Sequence, residues 1–243
     1  METLFTTDYK NYETDWPTSS RPSARAIIVA ESENSDTTPL SPNDKIALVY
    51  AKNLAYYKFP GGGIGEGEEN TTALIREVSE ETGLEVIFDS IKEAGLVRRI
   101  MQSEMFPKTI FIQDSFHYFC SVKTGVDGKP LIKKQKLDDY EKDDGFELRF
   151  VTMDEAIQTN LHFKSDNAAK LDMIARETLV MEKLCGQEEN IPRAFAESLL
   201  EKCVAKNPGP WREHSYAVAR AAEKIARAVN EKAAVNTTAN TKK

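Results

Sequence analysis

Two rhythms of apolar residues divide the chain. Alternating or continuous short apolar runs predict strands over residues 24–31, built on Ile27, Ile28 and Val29, and over 45–52, KIALVYAK. Further runs predict a β-like stretch at 84–88 and strands at 94–101, 110–122 (IFIQDSFHYFCSV) and 146–151. Helical spacing appears at residues 70–82, where Leu74, Ile75 and Val78 recur without an interrupting Gly or Pro. Thr152 is placed to cap a second helix opening at Met153. Residues 1–23 are polar and aromatic and predict an irregular arm or edge strand. Residues 32–43 predict a loop, and 125–144 a turn-rich acidic connection. Beyond residue 160 helix formers dominate, predicting helices over 165–185, 192–205 and 211–233, with Asn207-Pro208-Gly209-Pro210 as a break. Strands interrupted by one early helix and closed by a second predict an α+β sandwich followed by a helical extension.

The first helix carries the chemistry. Asn70 is its expected N-cap, and Glu77, Glu80 and Glu81, at i, i+3 and i+4, project from one side. Like charges four residues apart destabilise an isolated helix by a few tenths of a kcal/mol, on the order of one surface pair, unless a cation sits between them. Arg76 could be that cation, which makes the helix a solvated acidic face, or a bound metal could be. The segment before it favours the metal: glycines 61, 62, 63, 65 and 67 form a turn able to bring main-chain groups close to a ligand. Those glycines match neither a P-loop nor a G-x-G-x-x-G spacing.

Gly62, Glu68, Arg76, Glu77, Val78, Glu80, Glu81, Gly83 and Leu84 fill every fixed position of G-x5-E-x7-R-E-U-x-E-E-x-G-U, with U apolar, so the chain resembles the Nudix hydrolases over roughly residues 23–160. The resemblance implies an α/β/α sandwich with a mixed sheet. It makes Glu77, Glu80 and Glu81 metal ligands, joined by the carbonyl of Gly61 or Gly62. Glu77 would also orient or deprotonate a water, Arg76 would hold a glutamate in place, Gly83 would end the helix, and Glu68 would brace the loop. Such enzymes often recruit a later carboxylate, for which Glu147 is the candidate, with Asp143 and Asp144 behind it. Oxygen ligands of this kind suit hard cations, so Mg2+ or Mn2+ is expected. Tyr56, Tyr57 and Phe59 are either core residues or a platform for a base.

Composition narrows the partners. With 40% hydrophobic residues in 243, the chain can build a full core. A net charge of −7 argues against long nucleic acid and is compatible with a small nucleotide-type substrate screened by metal. Cys120, Cys185 and Cys203 are widely spaced and read as reduced thiols. No run is long and apolar enough for a membrane span, and Met-Glu-Thr-Leu-Phe lacks a signal pattern, so a cytoplasmic location without a membrane partner is expected. The expected organisation is an arm at 1–23, a catalytic domain at 24–162, a helical extension at 163–235 and a polar tail at 236–243.

Residues 207–228 resemble the opening of an HD-domain phosphohydrolase, which makes the extension from residue 192 a truncated HD-like segment. The further His and Asp that such a site needs are missing after His214, which leaves self-association as a homodimer as the extension's expected role. His117, His162 and His214 read as core or surface residues. The function expected is a pyrophosphohydrolase that splits a nucleoside diphosphate linked to a moiety X into a nucleoside monophosphate and phosphorylated X. X would be that of a nucleotide sugar, ADP-ribose or a modified nucleoside triphosphate. A non-catalytic nucleotide sensor signalling through the tail is the alternative, and an HD phosphohydrolase is disfavoured.

Overall fold

A computed structural model describes residues 1–31, 39–186, 200–201, 209–210, 212–219 and 221. The sequence's loop at 32–43 is therefore described only from residue 39, and the helix expected at 192–205 lies almost wholly outside the described residues, as does Cys203. The chain divides into two compact units, Met1–Ala194 and Phe195–Lys243. Within the second, residues 212–219 are helical and His214 is exposed.

The first unit holds two sheets. The strands β1 (Thr3–Asp8), β2 (Thr18–Ser20), β3 (Ser23–Ile27), β7 (Lys92–Gln102) and β8 (Ile110–Phe119) form one of them. Its centre is the antiparallel β7–β8 pair, with β1 parallel to β7 and both β2 and β3 parallel to β8. The strands β4 (Val29–Glu31), β5 (Lys45–Ala51), β6 (Tyr56–Lys58) and β9 (Phe146–Thr152) form the other, antiparallel throughout. The expected strand at 24–31 is thus two strands on two sheets. Alternation is unbroken there, so periodicity reads one strand, but β3 pairs with β8 and β4 with β5. Ile27 and Ile28 at the crossing enter opposite core clusters.

Helices cover both sides. The helix α1 (Asn70–Thr82) buries Leu74 and Val78 beside Ala24, Ala26, Ile28 and Ala47. On the other side lie α3 (Met153–Leu161) and α4 (Ala168–Leu184), whose Met153, Ile157, Val180 and Met181 share a cluster with Ile27, Ile46, Leu48 and Phe59. The arrangement is an α/β/α sandwich with a mixed sheet. Thr152 accepts from Glu155 N–H at 3.2 Å and opens α3. Helix α4, which the sequence reading places in the extension, belongs to the first core. A stripe of Leu171, Ile174, Ala175, Thr178 and Met181 buries it there.

Two local details differ from the sequence reading. The N-cap of α1 is Glu69, without a side-chain bond, and Asn70 is the first helical residue, its amide donating to the Tyr118 hydroxyl at 3.3 Å. The acidic connection contains a short helix, α2 (Asp139–Asp144), started by a reciprocal capping box between Asp138 and Glu141. The arm is tied down by β1 and β2.

Candidate active site

The turn between β6 and α1 is held by main-chain pairing: Ala24 N–H donates to the Gly62 carbonyl at 3.0 Å and Ala26 N–H to the Pro60 carbonyl at 2.8 Å. Gly61 has φ +136°, and a Cβ there would strike the Ala24 carbonyl. A Cβ on Gly62 would run into the Glu77 carboxylate, so Gly61 lets the turn lie against β3 and Gly62 lets it meet the Glu77 side chain of α1. At the far end Gly83, with φ 75°, closes α1 by donating to Ser79 O, and its bare α-carbon faces the Lys133 carbonyl.

The three glutamates leave α1 on one flank, but their side chains separate. Glu77 and Glu80 turn to Arg76, whose Nη1 lies 2.7 Å and 3.2 Å from them. Arg76 also forks onto both oxygens of Glu68 at 3.0 and 2.9 Å and reaches the Gly63 carbonyl at 3.1 Å. That fork, with the Gly65 N–H, holds the Glu68 carboxyl down at about 2. Glu81 goes inward. It is fully buried, accepts from Gly61 N–H at 2.9 Å and meets Lys58 Nζ at 2.5 Å. Burial pushes its pKa up, against the pull of Lys58 and Arg25. Among the described residues no three acidic, His or Cys side chains converge on one point, which corrects the expectation of a single acidic patch. The physical reason is that each carboxylate has found a cation within the protein.

A cavity of about 600 Å³ opens over this turn. Gly61, Gly62, Gly63, Arg76, Glu77 and Glu80 form one wall. Cations from distant elements form much of the rest: Arg21, Arg25, Lys58, Arg99, Lys136, Lys170 and Arg176. Glu147 does not line it. Its register opposite Tyr50 on β5 and its ion pair with Arg149 at 2.5 Å keep it elsewhere, and Asp143 is likewise outside. The later carboxylates that do reach the cavity are Asp138, Glu141, Asp144 and Glu177. Sequence reasoning named only Asp144 of these and missed Glu141 and Glu177, along with Asp138. The first sits in a D-x-x-E capping signature, and the second is a charge on the buried side of α4, a position charge rarely takes without a task.

Asp144 is engaged by Lys170 at 2.7 Å and Tyr56 at 3.3 Å. Glu177 accepts from Phe59 N–H at 2.9 Å and faces Arg25 Nε at 3.5 Å. Tyr56, Tyr57 and Phe59 are all core residues, although Tyr56 also touches the cavity. His117 is buried against Phe59, its Nδ1 3.1 Å from Ser115 O, and burial lowers its pKa to about 4. His162 bonds Gln158 O at 2.7 Å on the surface.

A family model for the NUDIX domain matches residues 24–173. Two solved structures are similar. One, assigned to the nudix hydrolase family, from Chromobacterium violaceum, is 21% identical over 78% of this chain and 96% of its own, with a TM-score of 0.36. The other, a NUDIX hydrolase from Nitrosomonas europaea, is 17% identical over 72% and 94%, with a TM-score of 0.42. At those scores neither superposition bears on the argument. Comparison with curated proteins gives no match. The family model spans more than half of the chain, including the glycine turn and the glutamate helix just described. This chain therefore belongs to the Nudix family and is a hydrolase of phosphoanhydride bonds in nucleoside diphosphate derivatives.

Proposed function

We propose that the chain is a Mg2+- or Mn2+-dependent pyrophosphohydrolase. Its substrate is a nucleoside diphosphate joined to X, as in a nucleotide sugar, ADP-ribose or a modified nucleoside triphosphate, and its products are a nucleoside monophosphate and phosphorylated X. The observation that carries this reading is the cavity itself, where a glycine turn and two helix glutamates face a ring of arginines and lysines. Such a ring suits a diphosphate, whose oxygens take charge-assisted bonds from several sides.

Members of the family generally require a divalent metal ion, and the residues here fit one. Gly61 O and Glu81 Oε1 meet at Lys58 Nζ, at 3.4 and 2.5 Å, with Arg25 Nη1 donating to Gly61 O as well, while Glu77 and Glu80 converge on Arg76. Every one of these donors is a hard oxygen already seated round a positive charge. The ligands we assign are Glu77, Glu80, Glu81 and the Gly61 carbonyl. The Gly62 carbonyl is held in main-chain pairing by Ala24 N–H, whereas the Gly61 carbonyl accepts from the cationic side chains of Lys58 and Arg25, the place a metal ion would take. When bound, the ion screens phosphate charge and lowers the pKa of a ligated water.

The chain's own residues do the remaining work. Arg76 keeps Glu77 and Glu80 at the cavity wall, Glu77 accepts the proton of the attacking water, and the cationic side chains fix the diphosphate in line. Glu141 replaces Glu147 as the later carboxylate, because it lines the cavity and Glu147 does not. The purified protein should be assayed on ADP-ribose, nucleotide sugars, dinucleoside polyphosphates and oxidised nucleoside triphosphates, with Mg2+ or Mn2+ and product identification. Turnover that EDTA abolishes, and that Glu81→Gln reduces more than about a hundredfold, roughly twice the 1.4 kcal/mol of a tenfold change, is expected. No turnover on any of them, or an unaltered Glu81→Gln rate, refutes the reading. Tight binding without turnover transfers it to a nucleotide sensor.

A further inference from the structure

A second cavity, of about 450 Å³, adjoins the first and shares Arg21, Arg99 and Ala169 with it. Its chemistry is different. Met101, Met105, Phe106 and Phe111 dominate its wall, with Ser20 and Gln102 among its polar groups. Met105 and Phe106, in the turn joining β7 to β8, are 81% and 54% exposed. Large apolar residues left in water at the mouth of a cavity mark a surface that something covers. The turn that presents them is ordered: the Ser103 hydroxyl accepts from Met105 and Phe106 N–H at 3.3 and 3.1 Å.

Arg99 stands at the junction. Its guanidinium lies 5.4 Å over the Phe111 ring and is ion-paired with Asp172, while its Nε is the only buried side-chain nitrogen or oxygen without a partner among the described residues. A ligand spanning both cavities would bring oxygens to this junction and a flat apolar group to the far wall.

We infer that the second cavity is the nucleobase compartment of the substrate, with the exposed Phe106 ring as its stacking platform and Arg99 at the phosphate–base boundary. The inference rests on the pyrophosphohydrolase reading, which places the diphosphate in the first cavity. A base rather than a sugar is the occupant, because stacked π-faces satisfy Phe and Met walls whereas sugar hydroxyls would lose water there without partners.

Calorimetric titration with AMP, UMP and ribose 5-phosphate separates the possibilities without requiring turnover. The wild-type protein is expected to bind both nucleotides at least about fivefold tighter than the base-free phosphate, the lower end of one stacked base. Phe106→Ala should bring that ratio close to one without altering ribose 5-phosphate affinity, and Phe106→Trp should keep it. On whichever substrate is hydrolysed, Phe106→Ala should raise KM and leave kcat alone. Equal wild-type affinity for all three ligands overturns the assignment, as does a preference that survives Phe106→Ala. A Phe106→Ala loss shared equally by ribose 5-phosphate gives the compartment to X and overturns it too. Hydrolysis of the panel with any of those results leaves the pyrophosphohydrolase standing. Absence of all hydrolysis beside a Phe106-dependent base preference does the reverse.

Discussion

Replacing Lys58 by Met isolates the most exposed weakness of the site's design. Lys58 and Glu81 are both almost without solvent contact, their side chains 6% and 1% exposed, and they meet at 2.5 Å. The ammonium also lies 5.0 Å over the Phe146 ring. Met fills nearly the same space, so the change removes charge rather than volume. What remains is a buried carboxylate held by one N–H, that of Gly61, and by the field of Arg25. Breaking such a pair from one side costs about 3–5 kcal/mol. In a unit of this size that is a fall of roughly 6–20 °C in the melting midpoint.

The loss must also follow pH. Burial already holds the folded pKa of Glu81 above 4.5, and losing Lys58 raises it further. The folded variant therefore binds a proton that the unfolded chain has released. Its deficit against wild type is small near pH 5 and grows towards pH 8. Thermal and urea melts of wild type, Lys58→Met and Lys58→Met/Glu81→Gln at both pH values provide the assay. The double variant has no buried charge to strand and should recover most of the loss. A deficit below about 1 kcal/mol at pH 8, or one that ignores pH, would refute the claim that this pair anchors the turn.

Other expectations come from the same geometry. His117 should add acid sensitivity: its folded pKa of about 4 lies below the ordinary 6.5, so its contribution is full above 6.5 and disappears as pH falls through 4, on the order of 3 kcal/mol at most. A flatter acid limb of the stability curve for His117→Asn would show it. Arg76→Lys cannot fork, so the Glu68 carboxyl, held at about 2, should titrate closer to an ordinary glutamate by NMR while turnover falls. Gly83→Ala meets both a left-handed φ of 75° and the Lys133 carbonyl, and should cost more than the roughly 1 kcal/mol of the backbone term alone in urea melts. Lys58→Met should bind Mn2+ more tightly than wild type by calorimetry at pH 8, since its Glu81 carboxylate is freed of a competing cation while Arg25 still holds the Gly61 carbonyl.

What could be read in advance depended on whether a feature was local in the chain. Helix α1, the glycines flanking it and Gly83 as its stop were visible because periodicity, capping and φ preference act over a few residues. The strand at 24–31 was misread because alternation describes which side a residue faces and is blind to which sheet it pairs with. Helix α2 was legible and overlooked: Asp138 and Glu141 spell a capping box inside a run that looked merely acidic.

The candidate site divides in the same way. Spacing on a helix fixes where Glu77, Glu80 and Glu81 leave the backbone, and it says nothing of which cation each will find. That answer came from Lys58 on β6, with the field of Arg25 on β3 behind it, and Arg76 is the partner close in sequence. Glu147 illustrates the converse. Its position just ahead of an apolar strand made it a plausible late carboxylate, but register opposite Tyr50 carried it away from the cavity, while Glu141, three residues into a cap, was delivered to it. Which later carboxylate reaches this cavity is therefore decided by the strand register and the cap that aim it. Register is a property of two segments at once, so no single stretch of the chain could have disclosed it.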